Sequence, residues 1–371
     1  MNKQIAHFYR FNSFRFFAAL LVMVGHAESI REASSQFNLH SISFFRNGQN
    51  AVTFFFVLSG FLITYLLLKE KNTTNKINVK HFYWKRIVRI WPLYFLLLTI
   101  GLVLQPMVIF IFKIQYQLPY NPLSALPYFL LFIPGLTTFY YGNHLLEPLW
   151  SIGVEEWFYL IWGPFIKWIK RNLFWWISGF LILKIALNQL AIYGHFPPVV
   201  VYFIRIMQME SMSLGALVAL LFFKSIPLLN NHNILRLFQY TSGTLILTIV
   251  FLNKEIESIL AQFGIYEKSS ITLLNALVFA CFIGSIALRN KMNKILDHKW
   301  LNWCGEISYG IYMYHLLIVT AVCGIISQLE LNFFWSTLFL HGGSLSLTLI
   351  IAGLSKKYFE DPILKFKNSI K

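Results

Sequence analysis

The sequence predicts an all-α, polytopic integral membrane protein with about ten transmembrane helices and both termini cytoplasmic. Three observations predict it. Only 12% of the 371 residues are charged, where a soluble domain carries roughly a quarter. The mean hydropathy is +0.59, and apolar runs long enough to cross a bilayer recur from end to end. The basic residues gather in short flanks on alternate sides of those runs. The formal charge of +16 would suggest nucleic acid as a partner of a soluble protein. Here it marks membrane orientation, and the partners expected are lipid and small substrates, not nucleic acid.

The expected spans, in order, are 13–29, 50–68, 90–112, 150–168, 172–192, 204–223, 236–252, 270–289, 305–325 and 333–355, forming one transmembrane domain over 1–371. With the N-terminus inside, the inner flanks collect Lys3, Arg10 and Arg15, then the Lys69–Arg89 group. Lys167, Lys170 and Arg171 follow, then Lys224 and Arg236, then Arg289, Lys291, Lys294 and Lys299, and last Lys356, Lys357, Lys365, Lys367 and Lys371. The outer loops hold Arg31, Arg46, Lys113, Lys254 and Lys268. That imbalance sets the orientation, because basic loops stay cytoplasmic. Residues 122–138 are apolar but broken by Pro122, Pro127 and Pro134, and are expected as a re-entrant or interfacial segment. The first span lacks a small-residue cleavage signature and is expected to be retained. Cys281, Cys304 and Cys323 lie in or beside apolar runs and suggest neither a disulfide framework nor a metal cluster. No histidine pattern suggests metal either.

Four clusters carry more than hydrophobicity. Arg15 and His26 are eleven residues apart, about 16 Å along a helix and within about 20° of one face. They read either as an anchor arginine with a packed histidine, or as a functional stripe facing a cavity, with a histidine able to move a proton near neutral pH. Ser59-Gly60, in a Phe-rich span, is a small pair suited to close helix packing or to lining a cavity. Arg86 and Arg89 share one helix face beside Pro92. They read as positive-inside charge or as a clamp for phosphate groups, which the arginine fork suits.

Trp150-Ser151 precede Glu155-Glu156 and Tyr159, two adjacent carboxylates inside an apolar run. They point about 100° apart and so need different partners. Either a site-organising role or an ion pair with Arg205 or Lys184 would account for them. Further along, Arg205 and Glu210 suggest an internal polar network. Ser308, Tyr312 and His315 recur on one helix side, so that His315 could face the same interior as His26 or simply pack. Phe359-Glu360-Asp361-Pro362 reads as a helix stop.

These motifs occur in one order: Arg15 to His26, Phe55-Phe56-Val57-Leu58-Ser59-Gly60-Phe61, Arg86-x-x-Arg89-Ile90-x-Pro92, Trp150-Ser151 with Glu155-Glu156, Ile307-Ser308-Tyr309 with Tyr312 and His315, and Glu360-x-Pro362. In that order the chain resembles the membrane-bound acyltransferase-3 family over nearly its whole length. Members of that family O-acylate sugars of lipopolysaccharide, exopolysaccharides, peptidoglycan and other acceptors, and its core also has ten spans with both ends inside.

The resemblance implies an acyl-CoA-dependent O-acyltransferase in a bacterial plasma or inner membrane. It would move an acyl group, most often acetyl, from cytoplasmic acetyl-CoA or another acyl-CoA to a hydroxyl of a cell-surface glycan or lipid-linked sugar. It assigns catalysis to His26, Arg15, Glu155 and Glu156, and donor binding to Arg86, Arg89 and Arg15. Ser59, Trp150, Ser151, Tyr159, Arg205, Glu210, Tyr312 and His315 are expected to line the site, with no metal. His26 would serve as general base or transient acyl carrier, with Glu155 or Glu156 orienting its ring. Some members carry a C-terminal hydrolase-like domain. This chain ends about 16 residues after its last expected span, so acceptor selectivity is expected from the membrane core and short outer loops. The alternative is a transporter or flippase for a small anionic or lipid-linked substrate, which inverted repeats would signal; none is evident.

Overall fold

The computed structural model describes residues 8, 11–34, 36–113, 117–224, 231–288 and 298–366. Lys3, Arg10, Arg289, Lys291, Lys294, Lys367 and Lys371, which entered the charge pattern, lie outside the described residues. Among those described, every regular element is helical. In chain order these are α1 (Phe11–Ala33), α2 (Gly48–Thr74), α3 (Val79–Ile111), α4 (Pro122–Leu130), α5 (Gly135–Tyr141), α6 (Leu149–Trp168), α7 (Leu173–Tyr193) and α8 (Pro198–Ile206). They continue with α9 (Met209–Lys224), α10 (His232–Phe251), α11 (Asn253–Gln262), α12 (Lys268–Leu288), α13 (Lys299–Glu306), α14 (Ser308–Ile326) and α15 (Phe333–Lys365).

Nine helices among the described residues are long and apolar enough to cross a membrane, with α8 and α9 together forming one of them. The chain is a multi-pass, all-α membrane protein. Helix α6 is not among the nine: Glu155, Glu156, Lys167 and its tryptophans dilute its hydropathy. It nonetheless runs 20 residues, and Phe158, Trp162 and Ile166 on it are fully buried.

Helix α2 is the most enclosed of the nine, while α7 and α10 leave most of their apolar surface outward, as lipid-facing helices do. Around α2 pack α1, α6, α9 and α12; α14 closes the other side of α1 and is backed by α15. The α2–α9 crossing is backbone to backbone. A Cβ added at Gly60 would lie 1.9 Å from the Met212 carbonyl oxygen, and one at Gly215 1.9 Å from that of Val57. Small residues permit such an approach. In lipid, where no hydrophobic effect draws helices together, dispersion attraction between closely spaced backbones holds the crossing.

Residues 122–138 form α4 and the start of α5, joined by a turn in which Phe132 has a positive φ of 55°. The Phe132 ring stacks on Tyr94, and the Tyr94 hydroxyl donates to the Phe129 carbonyl at 2.8 Å, fastening the turn to α3. At the other end of the chain the helix does not stop at Pro362. A π-helical stretch, Lys356–Glu360, precedes it. Widening the turn there relieves the clash between a proline ring and the carbonyl four residues earlier, so α15 continues.

Candidate active site

A cavity of about 640 Å³ lies at the Phe11 end of α1. Its polar lining includes Arg15 from α1, Ser59 from α2, Arg86 and Arg89 from α3, Ser151, Glu155 and Tyr159 from α6, Glu306 at the end of α13, and Tyr309 and Tyr312 from α14. Lys356, Glu360 and Asp361, on and just after the π-helical stretch of α15, complete the wall. Glu155 is held by two hydroxyls: Ser59 donates to Oε1 at 2.6 Å and Tyr159 to Oε2 at 3.0 Å. Arg15 lies within electrostatic reach of Glu155, Arg86 and Arg89, and donates to Asn12 Oδ1 at 3.3 Å. The buried Arg86 Nε has no hydrogen-bond partner among the described residues. Three guanidinium groups thus line one cavity together with four carboxylates, Glu155, Glu306, Glu360 and Asp361, of which Glu155 lies within electrostatic reach of all three. The arginine cluster within it suits an anionic group, and bidentate arginine contacts favour phosphate in particular.

A second cavity of about 220 Å³ lies toward the Ala33 end of α1. His26 and Ser29 of α1, Gln49 of α2, Trp150 of α6, and His40, Arg46 and Glu147 from the connecting segments line it. Val52 and Tyr312 line both cavities, so the two meet at these side chains. Tyr312 is fixed in this partition: its hydroxyl lies 2.7 Å from Ser151 Oγ and 3.1 Å from the Pro148 carbonyl. The His26 ring is tied through Nδ1, 3.1 Å from the Val22 carbonyl and 3.0 Å from Nε2 of the fully buried His315. Trp150 packs edge-on against Phe56.

The structure therefore gathers Arg15, Ser59, Arg86, Arg89, Ser151, Glu155, Tyr159 and Tyr312 in one cavity and His26 and Trp150 in the adjoining one, with His315 behind His26. Several sequence expectations need correction. Neither Glu155 nor Glu156 hydrogen-bonds His26 among the described residues; the ring's side-chain partner is His315. Glu156 points away from Glu155, accepting from Trp91 Nε1 at 3.1 Å, with its other oxygen buried and without a partner among the described residues.

Arg205 and Glu210 do not join a site. The helix breaks at Met207 and Gln208, sending Arg205 to an ion pair with Glu267 at 3.0 Å. Glu210 instead pairs with Lys184 at 3.4 Å, and Asn188 bridges the two. Neither residue lines either cavity, and neither Lys184 nor Arg205 serves the α6 carboxylates. Sequence reasoning missed Arg46, Gln49, Glu147, Lys356 and Glu360 as lining residues. They come from loops and helix ends, where no periodicity points them inward.

The relationships of the chain agree with this geometry. Residues 8–353 match the family described as an acyltransferase domain. The chain belongs to the acyltransferase-3 family. It is 26% identical over 344 residues to the peptidoglycan O-acetyltransferase OatA of Listeria monocytogenes, covering 88% of this chain and 53% of that protein. It is 26% identical over 332 residues to the O-acetyltransferase OatA of Staphylococcus aureus, covering 84% of this chain and 52% of that one. A putative peptidoglycan O-acetyltransferase of Bacillus subtilis, YrhL, is 24% identical over 329 residues, 84% of this chain and 50% of its own. The chain spans about half the length of these curated relatives. No solved structure matches it. None of these three relatives is named for lipopolysaccharide or an exopolysaccharide, the acceptors that the resemblance also allowed. Among the described residues, no group of three or more His, Cys, Asp or Glu is arranged to hold a metal ion.

Proposed function

We propose that this acyltransferase-3 member is an O-acetyltransferase that takes acetyl from cytoplasmic acetyl-CoA and delivers it to a hydroxyl of an outward-facing glycan of the peptidoglycan type. The observation that carries this reading is the pair of cavities meeting at Tyr312, one lined by arginines and the other by His26. The basic flanks support a cytoplasmic position for the Arg15 end of α1 and an outward position for the His26 end. The names of the Listeria and Bacillus relatives support the acceptor class.

In this mechanism the donor's phosphates rest against Arg86, Arg89 and Arg15, and its thiol arm runs along α1 toward Tyr312. The separation of Arg15 and His26, about 16 Å by helical rise, is the distance that arm must cover. His26 Nε2 takes the proton of the acceptor hydroxyl as its oxygen attacks the thioester carbonyl carbon. The new ester C–O bond forms and the C–S bond breaks. The departing thiolate takes the proton from the His26 imidazolium and leaves as CoA thiol. The test uses purified protein with radiolabelled acetyl-CoA and soluble peptidoglycan fragments. Unmodified protein is expected to label the glycan, and His26→Ala to abolish labelling while remaining folded in the membrane. Undiminished labelling by that variant would overturn the assignment.

A further inference from the structure

The hydrogen-bond register around His26 fixes where its proton sits. His315 Nδ1 lies 2.5 Å from the Tyr312 carbonyl oxygen, an atom that can only accept, so the proton of a neutral His315 is on Nδ1. Its Nε2 is then bare and faces His26 Nδ1 at 3.0 Å. His26 Nδ1 also lies 3.1 Å from the Val22 carbonyl, a second acceptor. A proton on His26 Nδ1 satisfies both neighbours together. The opposite arrangement, with the proton on His315 Nε2, would turn one bare nitrogen toward each carbonyl oxygen. A doubly protonated His315 would be a fully buried cation with no carboxylate hydrogen-bonded to it among the described residues. The remaining atom, His26 Nε2, makes no hydrogen bond among the described residues, and His26 lines the smaller cavity.

We infer that His315 is a positioning residue. It holds His26 in the Nδ1–H tautomer, so that a bare Nε2 is presented to the acceptor cavity, and it accepts the Nδ1–H hydrogen bond as His26 becomes imidazolium. A neutral imidazole anchored on a backbone carbonyl here does what a carboxylate does behind many catalytic histidines. The two rings meet at a centroid distance of 5.0 Å, and the Tyr312 ring packs against His315 at 5.6 Å. The residue whose carbonyl sets the relay is thus the one whose side chain divides the two cavities. The catalytic part of this inference rests on the acetyl-transfer reading above; the tautomer part does not.

The first test is nitrogen NMR of the full chain, labelled with imidazole-¹⁵N histidine in detergent micelles, with the His26 signals assigned by their loss in His26→Gln. We expect Nδ1 protonated and Nε2 bare for His26; a protonated Nε2 with a bare Nδ1 would overturn the register. The second is kinetic. In His315→Leu, kcat should fall on the order of 10–100-fold, the range seen when a metal-bound histidine loses the outer partner that orients its ring. The KM for acetyl-CoA should not change, since His315 lines neither cavity. His315→Gln, whose amide oxygen can accept from Nδ1–H, should recover part of the loss. Unchanged kcat in the Leu variant would overturn the positioning role. If unmodified protein acetylates no glycan, the proposed function fails, and the NMR result still decides the register.

Discussion

Arg86 and Arg89 are three residues apart on α3, so their guanidinium groups leave the same side of the helix and meet Arg15 across one cavity. Placing three cations together in an apolar bundle is costly unless an anion joins them. Glu155 is one such anion, within electrostatic reach of all three, and a donor phosphate would be another. Charge-assisted hydrogen bonds contribute about 1.5–3 kcal/mol each. Arg86→Ala is therefore expected to weaken CoA binding about 10–100-fold by titration calorimetry in detergent. Arg86→Lys should restore only part, because an ammonium cannot make the bidentate contact. Unchanged affinity would mean that this arginine serves orientation in the membrane alone.

Arg15, His26, Ser59 and Glu155 were legible in the sequence because polar or ionisable groups inside apolar runs are expensive and so call for a reason. Their partners were not legible. Glu155 and Glu156 are adjacent, yet one faces Ser59 and Tyr159 and the other Trp91, a choice made by the packing of α2, α3 and α6. Arg205 and Glu210 misled because the break at Met207 and Gln208 carries neither proline nor glycine to announce it.

At the scale of elements, the α2–α9 crossing determines whether the cavity wall forms. Ser59 can face Glu155 because its neighbour Gly60 lets α9 approach on the adjoining side of the helix. A methyl group at Gly60 or Gly215 would strike backbone 1.9 Å away, which cannot rotate aside. Overpacking costs typically about 1–3 kcal/mol. Gly60→Ala and Gly215→Ala are each expected to lower the thermal unfolding midpoint in detergent. Gly179→Ala on α7, where an added Cβ meets nothing within 4 Å, is the matched control and should leave it unchanged. Equal midpoints for all three would contradict a close-packed crossing. The small Ser59-Gly60 pair signalled this approach in sequence, but its partner, Gly215, lies 155 residues further on and only the tertiary structure joins them. The continuation of α15 past Pro362 was illegible for a related reason: a π turn leaves no composition signature of its own.

For the whole molecule, composition alone established the class, since 57% hydrophobic residues with 12% charged leave too little polar surface to cover a soluble fold. The paired cavities were not visible there, because loops and helix ends from across the chain complete them. Under the proposed function that arrangement has a direction: donor and acceptor would reach Tyr312 from opposite ends of α1, and neither would need to cross. The most direct test reconstitutes the protein in sealed vesicles with uniform orientation, acetyl-labelled acetyl-CoA on the side of the Arg15 end and soluble peptidoglycan fragments on the other. The account predicts label on the glycan across the membrane, with CoA remaining on the donor side and no transfer by His26→Ala. Labelling only when donor and acceptor share a side, or passage of intact acetyl-CoA, would contradict it.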